Sequence, residues 1–204
     1  MTRSGLRRGT GPLRGAVELV VTVAVALGVQ AFLVKPYGIP SASMVPTLDV
    51  GQHILVSRLS THPGIGAVVV FHPPAGATAP LGAQCGDPAQ GPGRAQPCDD
   101  PTRRESSETF VKRVVGLPGD RLRIRNGVVY RDGVRESGAS LRPCPEPASC
   151  TFARSIVVRR GDYYMMGDNR GDSDDSRYWG PVPQAWIIGT AFFTYWPPDR
   201  IGTF

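Results

Sequence analysis

Lysine is nearly absent from this chain. Of its 23 basic residues only Lys35 and Lys112 are lysines; the other 21 are arginines. Histidine is almost as scarce. His53, His62 and His72 fall in one short stretch without a clear acidic partner, which argues against a Ser-His-Asp arrangement. No Cys-x-x-C occurs, and the histidines lie far in sequence from the four cysteines, so neither a metal site nor a cofactor is expected. Neither lysine stands three residues after a serine, which excludes a Ser-x-x-Lys nucleophile motif. Internal repeats are missing, and after Val34 no segment has a convincing helical period.

The charge is also less than it first looks. The formal net charge is +6, but Arg3, Arg7, Arg8 and Arg14 stand in a first stretch, residues 1–15, that has no acid. Residues 35–204 carry 19 basic against 16 acidic groups, so the body is almost balanced and nucleic acid is not an expected partner. A hydrophobic content of 41% also excludes a disordered chain.

What is present begins with a long apolar run. Residues 16–34, AVELVVTVAVALGVQAFLV, are interrupted only by Glu18 and Gln30, and apolar residues fill every face of a helix drawn through them. Such a helix spans roughly 28 Å, close to the ~30 Å hydrocarbon core of a bilayer. A cleaved secretory signal and a buried soluble helix are the competing readings. The run exceeds the about 7–15 apolar residues of a cleaved signal, and Val29-Gln30-Ala31 is a poor cleavage site. The expectation is therefore a cytoplasmic basic tail at 1–15, a single transmembrane anchor at 16–34 and an extracytoplasmic domain at 35–204.

That domain reads as mostly β. Apolar or aromatic runs at Ile54–Ser57, Ala67–Phe71, Phe110–Val115, Ile156–Val158, Tyr163–Met166 and Trp186–Trp196 are bounded by Gly, Pro or Asp. Arg121 to Arg125, then Asn126-Gly127, then Val128 to Tyr130 predicts a hairpin with a type I′ turn. Residues 73–109 break the pattern with seven prolines, five glycines and no aromatic, and are expected to form a mobile loop insertion. Four cysteines suit an oxidising compartment and allow three connectivities; sequence neighbours favour Cys85–Cys98 and Cys144–Cys150.

Chemistry is suggested first by Lys112. In a strand it shares a face with Phe110 and Val114, while Arg113 points the other way. A lone ammonium on an apolar face is desolvated, its pKa falls, and it becomes able to act as a base for a serine hydroxyl. The bland alternative is a lysine snorkelling at a strand edge. Composition weighs against it, since a chain so rich in arginine has used here the one cation that can deprotonate. The acidic run Asp168–Asp175 fails as a calcium loop, because Gly171 falls at the fourth position rather than the sixth. A hydrogen-bonded turn in which Asp175 pairs with Arg177 is the expectation there.

Four ordered motifs, PSASMVPTL, AVVVF, FVKRVVGLPGD and GDNRGDSDDSRYWG, make the chain resemble a bacterial type I signal peptidase from Ala16 to Trp196, the loop excepted. That resemblance implies a membrane-anchored serine endopeptidase with a β-rich catalytic core and an apolar surface resting on membrane lipid. It implies exported preproteins with signal peptides as substrates and a Ser–Lys dyad; a monomer is the expectation for the oligomeric state. Ser43 would be the nucleophile and Lys112 the general base. Ser41 would donate to the oxyanion together with the backbone N–H of Ser43. Ser173 would hydrogen-bond the lysine, and Asp175 and Arg177 would buttress it. The family's Gly-Asp ahead of its Val-Val-Phe strand is replaced here by Gly66-Ala67. A Ser–Lys protease with a different or self-cleaving role, and an inactive membrane-anchored β-domain that binds exported segments, remain the alternatives.

Overall fold

A computed structural model describes residues 12–78, 84–137 and 140–204. Residues 1–11, most of the expected basic tail, lie outside the described residues, as do residues 79–83 of the 73–109 segment. The chain starts with helix α1 (Pro12–Phe32), whose first residue is a proline, a position where the missing N–H would have no helical partner anyway. From Val17 to Leu27 its large apolar side chains stand exposed. Among the described residues no helix is long and apolar enough to cross a membrane. The helix also ends before the expected boundary. Lys35 precedes Pro36, which disfavours helical backbone at Lys35, and strand β1 (Val34–Gly38) takes over from there.

Ten further strands follow: β2 (His53–Ser57), β3 (Val68–Phe71), β4 (Phe110–Gly116), β5 (Arg121–Arg125), β6 (Val128–Arg131), β7 (Val134–Arg135), β8 (Ile156–Val157), β9 (Asp162–Met166), β10 (Val182–Pro183) and β11 (Ile187–Trp196). Six of them join β1 in one seven-stranded antiparallel sheet in the order β1-β2-β11-β3-β4-β9-β10. Proline is tolerated in β1 because that strand is an edge. The centre is occupied by β3, in which Val68 to Phe71 are all buried; continuous rather than alternating hydrophobicity is what a strand covered on both faces needs. Val69 and Phe71 pack with Val114, Met165 and Trp179 on one face. Val68 and Val70 pack with Ile39, Met44, Leu48 and Ile54 on the other.

A second sheet, β7-β6-β5-β8, holds the predicted hairpin. Its turn residues Asn126 and Gly127 have φ of 52° and 75°, the positive values a type I′ turn requires. In β5 the arginines face solvent while Leu122 and Ile124 are buried against Tyr164 and Met166 of β9, which joins the two sheets through one core. The sequence missed the short strands β7 and β10 and the one-turn helix α2 (Ser176–Trp179), because elements of two to four residues carry no measurable period.

The described residues of the 73–109 segment lie against the body of the fold, and the favoured Cys85–Cys98 bridge that limits the insertion is made. Cys85 and Cys98 are bridged, Cys98 N donates to Arg177 O at 3.0 Å, and Tyr164 Oη donates to Cys98 O at 3.3 Å. Ala77 joins the core beside Phe71 and Trp179. The missing aromatics are supplied by the surface on which the segment lies. Cys144 and Cys150 form the second bridge.

The tightest constraint on sheet assembly is at Gly189, where β11 passes β2. A Cβ there would press on the Ser57 carbonyl oxygen and come within 3.0 Å of Val56 Cγ1. Gly189→Ala is expected to lower unfolding free energy by about 1–3 kcal/mol through overpacking, measured by chemical denaturation; unchanged stability would show that the two strands can part without cost.

Candidate active site

Three pieces of chain meet at one cleft of about 510 Å³: the turn after β1, the start of β4 and the loop after β9. Ser41, Ser43, Lys112 and Ser173 all line it. Asp175 and Arg177 lie behind it, both with fully buried side chains.

The turn is a 3-10 segment, Ala42–Met44, closed by Val45 N donating to Ala42 O at 3.1 Å. Met44 and Leu48 are buried with Ile39 under the sheet, so apolar burial on one side fixes the orientation of the serines on the other. Ser43 itself is only 8% exposed. Its hydroxyl shares a 3.2 Å hydrogen bond with that of Ser41.

Lys112 sits opposite Val69 in the β3–β4 register, at the middle of the sheet rather than at an edge. It is 5% exposed, so it does not snorkel. Its Nζ lies 5.6 Å from the centroid of the Phe110 ring and makes no ion pair among the described residues. Burial pushes its pKa down from 10.5 to about 8; the charges of Asp175 and Asp174 pull the other way without restoring it. The ammonium form loses more solvation here than the neighbouring carboxylates return.

The loop after β9 organises both partners. Asn169 N donates to Ser43 O at 3.0 Å, and Asn169 Nδ2 donates to Ala42 O at 3.2 Å. Gly167 lies so close that a Cβ would strike both Ser43 O and Ser173 Oγ. Asp175 accepts from Arg177 Nε at 2.7 Å and Nη2 at 2.9 Å, and from Gly167 N at 3.1 Å; it also caps α2 at Arg177 N. Burial would raise its pKa, but the Arg177 charge and hydrogen bonds outweigh this and hold it below the ordinary carboxylate value. Ser173 departs from expectation. Its Oγ is buried in the cleft without a hydrogen-bond partner among the described residues, so the bond to Lys112 implied by resemblance is not made.

Sequence reasoning missed a second ion pair. Arg113, on the face of β4 opposite Lys112, donates to Asp168 through Nε at 2.8 Å and Nη2 at 2.6 Å. Thr47 Oγ1 donates to Asp168 Oδ2 at 2.5 Å, and Arg113 Nη1 donates to Gly66 O at 2.6 Å. One buried carboxylate thus ties β4 to the turn that carries Ser43. Strand parity sent Arg113 away from Lys112, but nothing in the sequence joined it to a residue 55 positions away. Arg170 is tied in a similar way, to Gly167 O at 2.9 Å and to both oxygens of Glu136. Ala67, where the resembling family has aspartate, contributes its backbone: Val114 N donates to Ala67 O at 2.9 Å.

Removing one partner of a buried ion pair leaves the other charge uncompensated. Asp168→Asn is expected to cost about 3–5 kcal/mol of stability. Asp49→Asn, whose partner Arg200 is exposed, is expected to cost at most about 1 kcal/mol. Parallel denaturation curves test the contrast, and equal losses would contradict it.

A serine hydroxyl and a buried lysine of lowered pKa in one cleft can perform nucleophilic acyl transfer without histidine. Comparison with known proteins agrees with that class of chemistry. Residues 13–196 match the family model described as "Signal peptidase, peptidase S26". A Synechocystis sp. protein named "Probable signal peptidase I-1" is 36% identical over 190 residues, covering 90% of this chain and 82% of that protein. Signal peptidase I of Leptolyngbya laminosa is 31% identical over 203 residues, covering 96% and 85% respectively. Signal peptidase I of Pseudomonas aeruginosa is 31% identical, covering 87% and 70%.

Proposed function

The chain belongs to the signal peptidase family, peptidase S26, and from that premise we propose that it is a membrane-anchored endopeptidase that removes signal peptides from exported preproteins by a Ser43–Lys112 dyad. The observation that carries the dyad is the burial of Lys112 in the cleft that Ser43 also lines, which pushes its pKa down to about 8. At pH 7 a lysine of that pKa is neutral about a tenth of the time, against about one part in three thousand for a solvated lysine. The difference of roughly 300-fold is the gain in the form able to accept a proton.

Neutral Lys112 Nζ takes the proton of Ser43 Oγ as that oxygen attacks the scissile carbonyl. The oxyanion is held by the Ser43 N–H and the Ser41 hydroxyl, whose present bond to Ser43 would have to rotate toward the substrate. Lys112 then returns the proton to the departing amine of the mature protein. Water, deprotonated by the same lysine, hydrolyses the acyl-enzyme. Ser173, without a partner in the cleft, is the hydroxyl free to bond Lys112 during these transfers.

The apolar run at 16–34, most of it in α1, supports anchorage with the N-terminus cytoplasmic and the β-domain outside. Ser43 follows eleven residues after the helix end at Phe32, so it would work near the outer face of the lipid. A signal peptide spanning the same bilayer would deliver its cleavage site at that depth.

Three results are expected from a preprotein cleavage assay in detergent. Ser43→Ala, Lys112→Ala and Lys112→Arg each lose at least about 10³-fold in kcat/KM, since guanidinium cannot deprotonate. The base must be neutral, so wild-type kcat/KM rises with pH and levels off above about 8. Full activity in Lys112→Arg would remove Lys112 as the base; cleavage of the purified protein by itself, with no action on preproteins, would favour the self-cleaving alternative.

A further inference from the structure

The two disulfides are far apart in sequence, yet both reach Arg177. At one end of that residue, Nη1 donates to Cys150 Sγ at 3.5 Å. At the other, the backbone oxygen accepts from Cys98 N at 3.0 Å. Between these ends, Nε and Nη2 hold Asp175, and Nη2 also donates to Ser173 O at 3.2 Å. The Arg177 side chain is fully buried, so its place is set by what packs on it.

The segments that carry the bridges are seated as closely. Cys98 is buried, and its oxygen accepts from Tyr164 Oη at 3.3 Å. A Cβ on Gly180, just after α2, would come within 2.9 Å of Pro101 N in the insertion. A Cβ on Gly171, in the loop after β9, would strike Pro145 Cδ, next to Cys144. Breaking a bridge changes this packing. A dithiol attacks one sulfur, forms a mixed disulfide and leaves as a cyclic disulfide, so two electrons and two protons convert the S–S bond into two thiols. Nonbonded sulfurs stand further apart than bonded ones, and the thiols do not fit the space of the bridge. Cys85 is half-buried while Cys144 and Cys150 are buried, which leaves the Cys85–Cys98 bridge more open to such attack.

We infer that Arg177 is a positioning residue held at its two ends by the disulfides, which keep the Asp175–Arg177 pair in place behind Lys112 and so make the base depend on both bridges. The inference rests on the peptidase reading above for its effect on cleavage. Lys112 is faced by Asp172, Asp174 and Asp175 from the loop after β9 and by Arg177 from α2, and Glu108 lines the cleft ahead of β4. Burial is the main influence lowering its pKa; the aspartates oppose it and Arg177 assists it. Arg177 in turn is faced by Asp175, Tyr178 and Tyr164. When Arg177 shifts away or water enters behind the cleft, the ammonium is favoured and the pKa of Lys112 rises.

The test compares Cys85→Ser/Cys98→Ser and Cys144→Ser/Cys150→Ser with the unreduced parent, all in a Lys35→Arg background labelled with 15N-lysine. Two midpoints are read against pH, that of kcat/KM on a preprotein and that of Lys112 Nζ by NMR. Each profile is scaled to its own plateau, so a smaller folded fraction does not move the midpoint. Both midpoints are expected to rise by about half a unit or more in each variant, which is about a threefold loss of scaled kcat/KM at pH 7. An unchanged midpoint in either variant overturns the inference and leaves the peptidase reading intact. If a variant does not fold, the parent treated with dithiothreitol and followed by circular dichroism decides. Retained structure with raised midpoints supports the inference, and structure and activity lost together overturn it, because the bridges then hold only the fold. Absence of cleavage by the unreduced parent at every pH defeats the peptidase reading, and the Nζ midpoints then decide the positioning role alone.

Discussion

Desolvation of one ammonium group is the constraint around which the rest is arranged. Lys112 lies in β4, paired with Val69 of β3, and only 5% of it is exposed, at the cleft it lines. An exposed lysine would keep its proton, and an arginine would keep it anywhere. The cost of burying the group is borne by apolar packing of Phe71, Val114 and Trp179 on the same side of the sheet. The next residue shows the opposite solution. Arg113 retains its charge and meets a buried carboxylate, Asp168, in bidentate geometry. Adjacent residues on opposite faces of a pleated strand thus serve a titrating role and a fixed electrostatic one.

The loop after β9 converts these local facts into one site. Its first residues hold the serine turn by backbone hydrogen bonds, its glycine allows that approach, and Asp168 binds the turn to β4. Its later residues pair Asp175 with Arg177 and cap the short helix α2. The disulfide-bridged insertion then docks on Arg177 O through Cys98 N. The three segments carrying Ser43, Lys112 and Ser173 are distant in sequence, and this loop touches or is touched by each.

Local pattern made much of this legible. Strands with strong apolar runs, such as Val68–Phe71, and the Asn126-Gly127 turn announce themselves because period and turn chemistry are properties of neighbouring residues. Lys112 stood out because lysine is so rare here. The pairing of Asp175 with Arg177 was legible for the same reason, being two residues apart. The Arg113–Asp168–Thr47 connection was not, since it is made by folding and leaves no periodic trace. The Cys85–Cys98 bridge of the insertion was legible from sequence proximity, while its contacts with β9 and α2 were not, being made only by folding. The limit of the helix was set by Pro36, a local signal that hydropathy alone passes over.

The scarcity of lysine also makes the central claim open to direct measurement. In a Lys35→Arg variant labelled with 15N-lysine, Lys112 is the only lysine left, and its Nζ can be followed by NMR as pH is raised. A midpoint at about 8 is the predicted result. A midpoint above about 10, as for a solvated lysine, would contradict it, because a group that keeps its proton at neutral pH could not serve as the base for Ser43.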